Sequence, residues 1–184
     1  QYIPMDSFVV GFVFRNQLRK SVPNLMEGFS IFKKRIGNKN AKLLLHTSLD
    51  EGWDIFKMAK EYNVDEKDIL VTYVCKECKK YAVANFLGQK QNCPYCASKG
   101  SFNTTSVSCG VSEEHLNEIY NLMDVYVHPF TSGGQEIPIQ EAKLTELITC
   151  VTNYSCGEEM CEDKANSLPL DWNEYREHQT HFKK

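Results

Sequence analysis

The sequence contains no apolar run long enough to span a membrane. The longest is Phe8–Phe14, itself broken by Gly11, against the roughly 20 residues a membrane helix needs. No charged-then-apolar leader opens the chain. It begins with Gln1 rather than Met, as a processed protein or an excised piece would. Neither sign of charge dominates: Lys plus Arg number 21 and Asp plus Glu 24, a formal net charge of −3. That balance argues against a general nucleic-acid binder, whose phosphate contacts call for a basic surplus, although a local basic patch remains compatible with it. There is no G-x-G-x-x-G and no Walker loop, which disfavours a nicotinamide enzyme or a P-loop ATPase. Internal repeats and low-complexity segments are also missing. What is left, 184 residues with 42% hydrophobic and 11% aromatic, fits one ordinary globular domain with a small satellite. A chain of this size buries roughly 70% of its extended surface and needs no staples to fold.

Cysteine is the residue in excess. The eight stand at 75, 78, 93, 96, 109, 150, 156 and 161. A chain this long with a good core pattern needs no disulfide framework. Four of the eight form two tight pairs, Cys75-Lys-Glu-Cys78 and Cys93-Pro-Tyr-Cys96, fourteen residues apart. Each pair makes a turn that aims two thiolates at one point, and two such turns complete a tetrahedral four-cysteine zinc site. With four protein ligands the zinc is structural, leaves no open position for catalysis, and supplies folding energy that the loop cannot get from a core. The set also indicates a reducing, cytoplasmic setting. The competing reading of CPYC is redox, because it resembles the glutaredoxin motif. That motif belongs between a strand and a helix that lowers the thiol pKa, and here a matched CKEC lies upstream instead. Cys109 reads as a plain thiol or a clip at the base of the loop, and Cys150 as core. Cys156 and Cys161 have no partner pattern.

Hydrophobic periodicity gives the frame. Phe8–Phe14, Lys42–His46, Ile69–Val74, Val125–His128 and Ile148–Asn153 read as strands. Between them, helical spacing runs from Val22 through Leu25, Met26, Phe29 and Phe32 to Ile36, with Ser21 as cap, Pro23 in the first turn and Gly37 as stop. A second helix carries Trp53, Phe56, Ala59 and Tyr62, capped by Asp50. A third is capped by Ser112 and carries Leu116, Ile119, Tyr120 and Met123. A fourth runs from about Pro138 to Leu147, and the polar tail ends in a helix over Glu174–His181. The rhythm breaks only between Cys75 and Cys109. This alternation predicts an α/β fold with a Rossmann-like parallel sheet and helices on both faces. Residues 1–74 and 110–184 form the sheet domain and 75–109 a zinc-ribbon-like insertion. Ligands of such sheets bind beyond the carboxyl ends of the strands, which directs attention to loops 14–21, 46–50, 74–111, 129–137 and 153–159.

Two of those loops carry suitable chemistry. Arg15, Arg19 and Lys20 lie between the first strand and its helix, where cations beside a helix N-terminus suit a phosphate. A solvated loop is the alternative. The stretch 131–141, TSGGQEIPIQE, brings Gly133 and Gly134, which let backbone amides approach a ligand. Glu136 and Glu141 flank the helix start. They could bind sugar or ribose hydroxyls, or could simply complement the helix dipole. His46, His115 and His128 have no spacing partners and read as structural. His178 and His181 read as a solvated tail.

The order of these pieces resembles the C-terminal, donor-binding domain of GT-B glycosyltransferases, in particular the retaining family called glycosyl transferases group 1 (family 4). The similarity covers about residues 7–74 and 110–160. Val10-Gly11, Arg15, Arg19-Lys20 and Val22 to Phe29 look like the family's opening strand, basic loop and helix. Gly110 to Pro129, GVSEEHLNEIYNLMDVYVHP, looks like its G-x-S-x-x-x-L-x-x-x-Y-x-x-x-D-V-x-V-x-P segment. Ser132 to Ala142 resembles its motif of two glutamates separated by seven residues. The resemblance implies that Arg15 and Lys20 hold the diphosphate of a nucleotide-sugar donor. Gly134 and Gln135 would offer backbone amides to the phosphate or sugar, and Glu141 would bind the ribose. The family's first glutamate falls on Gly133, and Glu136 is the candidate to take over its sugar contact. Two more positions depart: the family has Gly, then Pro, where this chain has Glu146 and Ile148. The four-cysteine insertion is not a general family feature. The implied partners are a nucleotide-sugar donor, an acceptor and an N-terminal GT-B domain, with no catalytic metal. Two other readings compete, a non-catalytic nucleotide-sugar binder and a zinc-ribbon module for nucleic acid or protein. The second draws on Lys76, Lys79, Lys80, Lys90 and Lys99 with Tyr81, Phe86 and Tyr95.

Overall fold

The first strand, β1 (Val9–Val13), has all five residues buried, which the continuous apolar run requires of a central strand in a parallel sheet. The computed structural model of the chain describes residues 3–4, 6–37, 40–161, 167–172 and 182–183. After β1 comes α1 (Val22–Ile36), with Pro23 in its first turn, three cations in its last and Gly37 closing it in the left-handed region at φ 58°. Ser21 stands at the N-cap, but its hydroxyl makes no capping bond. Its carbonyl instead accepts from the Leu25 amide at 3.2 Å.

Next are β2 (Lys42–His46), a short β3 (Gly52–Trp53), α2 (Ile55–Glu61), a single 3₁₀ turn (Glu66–Asp68) and β4 (Ile69–Cys75). Asp54, not Asp50, caps α2, by accepting from the Lys57 amide. Trp53 therefore belongs to β3 and not to the helix. The reason is Asn16: its side chain accepts from the Trp53 amide at 2.8 Å and donates to the Trp53 carbonyl at 3.0 Å, which holds that segment extended.

From β4 the chain turns back twice, as β5 (Tyr81–Asn85) and β6 (Phe102–Thr104), both antiparallel to β4. The remaining elements are α3 (Glu113–Tyr120), β7 (Val125–His128), α4 (Ile137–Leu144), β8 (Ile148–Thr152), α5 (Cys156–Met160), β9 (Ser167–Leu170) and β10 (Phe182–Lys183). Ser112 caps α3 as expected, accepting from the His115 amide. The helix expected over Glu174–His181, with His178 and His181, lies outside the described residues.

The main sheet runs β5-β4-β2-β1-β7-β8-β9, with β6 also on β4, and a separate two-stranded pair joins β10 to β3. All pairings from β4 across to β9 are parallel, so the sequence alternation leads to a Rossmann-like sheet flanked by helices. β9 is a sixth parallel strand that the polar, proline-containing tail did not suggest. At the middle of the sheet, Gly11 of β1 passes under Met123, and a Cβ there would lie 2.0 Å from its sulfur. Asp124 ties the two central strands together by accepting from the Val9 amide at 2.7 Å. No helix among the described residues is long and apolar enough to cross a membrane.

Candidate functional site

Strand order reverses between β1 and β7: β1 leads to β2 on one side and β7 to β8 on the other. The loops leaving the two strands therefore diverge, and the crevice they leave is where ligands of this sheet type bind. Buried Asn16 and the Trp53 indole, which donates to the Gln17 carbonyl at 3.1 Å, fix the loop after β1. The loop after β7 is fixed to it, since the Thr131 amide donates to the Arg19 carbonyl at 2.9 Å. It is held on its far side by the Ser155 hydroxyl, which donates to the Gly133 carbonyl at 3.0 Å.

Into this frame the two loops project a buried charged cluster. Glu136, only 4% exposed, receives Lys20 on Oε2 and Arg19 on Oε1, the latter at 2.6 Å. Arg19 also donates to the Ser132 carbonyl at 3.0 Å. The side chain of Glu136 folds back toward the preceding loop, and a Cβ at Gly133 would lie 2.5 Å from its Oε1. Position 133 is thus a glycine because the carboxylate of residue 136 fills the space beside it.

His128, fully buried at the end of β7, completes the cluster. The hydroxyl of Tyr126 donates to the Val13 carbonyl at 3.0 Å, which commits its only proton. The contact of 2.7 Å between Tyr126 and His128 Nδ1 is then a bond donated by the imidazole. That leaves Nε2 as an acceptor, and it takes a proton donor from the Lys20 ammonium at 3.0 Å. The longer 3.4 Å between Nε2 and Glu136 sets two acceptors side by side around that ammonium.

Burial holds His128 at about 4, so it is neutral at pH 7. Burial also lowers the Lys20 pKa, with Glu136 opposing. Burial alone would raise Glu136, but Lys20 and Arg19 hold its carboxyl well below the usual carboxylate range. With Lys20 and Arg19 charged, Glu136 ionised and His128 neutral, the cluster carries one net positive charge beneath the loops that leave β1 and β7.

The other expected residues are distributed around this cluster. Arg15 is exposed and pairs with Glu51 at 3.3 Å. Gly134 and Gln135 are exposed just before α4. Glu141, one turn into α4, accepts from the Tyr120 hydroxyl at 2.8 Å. The structure thus joins Lys20 to Glu136 and adds Arg19, expected as a further cation of the first loop, and His128, expected to be structural. A cavity of about 1010 Å³ is lined by apolar side chains such as Phe29, Phe32, Val127 and Leu168, with Leu18, Ser21 and Thr131 from the two loops, and by no member of the charged cluster.

The second assembly is the cysteine loop. The four sulfurs of Cys75, Cys78, Cys93 and Cys96 all lie within 4.8 Å of one another. Cys75 and Cys96 are 3.8 Å apart and Cys78 and Cys93 3.7 Å, close to the edge of about 3.8 Å that metal–sulfur bonds of about 2.3 Å impose on a tetrahedron. The two turns are built alike. The Lys79 and Ala97 amides reach back to the Cys75 and Cys93 carbonyls at 3.1 and 3.0 Å, and both residues adopt positive φ, 61° and 58°. Backbone amides donate to the Cys75 and Cys93 sulfurs.

Burial opposes ionisation of Cys75, but bonds from the Ser101 hydroxyl, the Cys78 amide and the Ser98 hydroxyl bring its thiol down to about 5. This geometry can hold one metal ion. Neither turn joins a strand to a helix, so the redox reading lacks its helix end. Cys109 is buried apart from the four, and all eight cysteines are free.

No protein-family model and no curated protein matches the sequence. Solved structures match in fold. The C-terminal domain of a glycosyl transferase group 1 family protein (LpcC) from Francisella tularensis aligns at 13% identity over 89% of this chain and 67% of that one, with a TM-score of 0.56. The pneumococcal O-GlcNAc transferase GtfA, solved in complex with UDP and GlcNAc, aligns at 15% identity over 90% of this chain and 25% of its own, TM-score 0.55. TarM does so at 15% over 91% and 26%, TM-score 0.54. The chain thus spans about two thirds of the first and about a quarter of the other two. At these identities the likeness shows the fold, that of one half of a GT-B glycosyltransferase.

Proposed function

We propose that this chain is the donor-binding domain of a glycosyltransferase, which transfers a sugar from a nucleotide diphosphate to an acceptor with retention of configuration. The observation that carries the reading is the Lys20–Arg19–Glu136–His128 cluster. It is a net positive site at the strand-order reversal of a GT-B half, built by the two loops whose sequences resemble the family's donor motifs. In this reading Arg15 and Lys20 face the diphosphate, and Arg19 joins them. The amides of Gly134 and Gln135 meet phosphate or sugar, Glu141 takes the ribose, and Glu136 takes the sugar contact of the glutamate that Gly133 replaces. As the anomeric carbon's bond to the diphosphate oxygen breaks, a bond to the acceptor oxygen forms on the same face. The acceptor's proton leaves with the diphosphate, whose developing charge the cations stabilise. Cys75, Cys78, Cys93 and Cys96 hold a structural zinc, and the free thiols suit a reducing, cytoplasmic compartment.

The test is a thermal-shift panel of UDP, GDP and ADP sugars against the chain and its Arg15→Ala, Glu136→Gln and Glu141→Ala variants. One nucleotide sugar should raise Tm in the parent, and each variant should weaken its binding about tenfold or more, the loss of one charge-assisted hydrogen bond. A parent that responds to none of them sinks the assignment. Gly133 in place of a glutamate favours a second reading, a nucleotide-sugar binder without transfer. Sugar transfer by the two-domain protein, abolished in Glu136→Gln, excludes it.

A further inference from the structure

We infer that the metal-bound cysteine loop is a binding surface for single-stranded nucleic acid. Its function as the acceptor site rests on the donor reading above. Residues 75–109 hold five lysines against one glutamate, in a chain whose formal net charge is −3. Even with four thiolates around a divalent ion, the loop keeps about two positive charges while the rest of the chain is acidic. All five lysines are exposed, and among the described residues none forms an ion pair, whereas Lys33, Lys42, Lys60 and Lys67 all do.

The backbone gathers three of the five around one turn. The Lys76 amide donates to the Ser101 carbonyl at 2.9 Å, Lys90 lies against Gly100, and Lys99 is its neighbour. Lys80 sits 5.4 Å from the ring centre of Tyr95. Tyr95 is 49% exposed, while its hydroxyl is anchored to the Tyr81 carbonyl at 2.9 Å. Unpaired cations beside an anchored, half-exposed aromatic are what a single strand needs, since phosphates take the cations and a base stacks on the ring. A base-free polyanion would use the lysines and leave the ring idle.

Position supports the same conclusion. The loop leaves β4 at the carboxyl edge of the sheet, the edge that carries the charged cluster. Two strand spacings, about 10 Å, separate β4 from β1. The two sites are also linked physically. Gln89 of the loop donates to Asp50 at 3.3 Å, and its neighbour Glu51 holds Arg15. A strand bound on the loop would therefore lie beside the crevice.

The experiment is fluorescence anisotropy of a labelled oligothymidine of about 16 nucleotides with the full chain, zinc-loaded, and with its Lys76→Glu/Lys99→Glu and Tyr95→Ala variants. Labelled polyglutamate serves as the base-free control. The expected results are a log–log salt slope of about −3, at least a tenfold loss in the charge-reversed variant, and about a tenfold loss in Tyr95→Ala. Metal content and Tm confirm that the variants are folded. No anisotropy change overturns the inference and leaves the loop a protein-contact surface. Equal binding of polyglutamate, or an unchanged Tyr95→Ala, overturns it in favour of a general polyanion patch. The nucleotide-sugar panel on the same samples separates the two readings. Oligonucleotide binding without a donor shift keeps the surface and removes its acceptor role, and a donor shift without oligonucleotide binding overturns the surface and leaves the donor reading standing.

Discussion

His128 shows what a single side chain contributes to this site. Its ring passes the Tyr126–Val13 hydrogen bond on to Lys20, so two residues of β7, one of β1 and one of a loop share a single proton arrangement. Because the folded His128 sits at about 4 against an unfolded 6.5, the unfolded chain binds more protons between those values, and stability falls as pH drops through that window. His46, lowered by burial to about 4, acts in the same direction. Thermal melts should lose on the order of 3 kcal/mol per histidine from pH 6.5 to 4, and His128→Gln should remove part of that slope. Gly133→Ala should push the Glu136 carboxylate off Arg19. We expect a loss of about 1–3 kcal/mol and weaker donor binding, read by melting with and without nucleotide sugar. Lys20 and Glu136 were legible as candidates because each lies in a loop of recognisable chemistry. Arg19 was legible in the same way as a cation of the first loop, but its pairing with Glu136 and the part played by His128 were not, since those partners lie more than 100 residues away and leave no local pattern.

At the scale of elements, the sequence speaks clearly where apolar residues run continuously or recur at helical spacing. β1, β2, β4, α1 and α3 follow from apolar spacing alone. β9 does not, because Leu168 is 57% exposed and Pro169 breaks the pattern. β5 and β6 depend on β4 and the cysteine turns for partners, which no local signal announces. After α4, Glu146 occupies the left-handed region at φ 62°, at the position where the resembled family has glycine. Glu146→Gly should stabilise the chain by about 1 kcal/mol, measured by denaturant melts. The cysteine loop supplies little core of its own, so chelating the proposed zinc should expose the β5 and β6 amides to hydrogen exchange and lower Tm by roughly 5 °C or more. β1, β2 and β7 should keep their protection.

On the scale of the whole molecule, the proposed function makes this chain one wall of a cleft. In that reading the charged cluster meets the donor from a single side. Donor affinity of the isolated chain should therefore be weak, and adding an N-terminal GT-B partner domain should tighten it, which calorimetry with the nucleotide sugar selected by the thermal-shift panel can measure. The same architecture sets an order of assembly. β1 lies at the centre of the sheet, pairing with β2 on one side and with β7, 115 residues later at Val10 and Val125, on the other. During synthesis the half containing β1, β2, β4 and the cysteine loop is complete once residue 109 has emerged. β7 and Glu136 follow at about 5–20 residues per second. For roughly one to five seconds on that scale, the nascent chain presents an open strand edge on β1 and a lysine whose counter-charge has not yet been made.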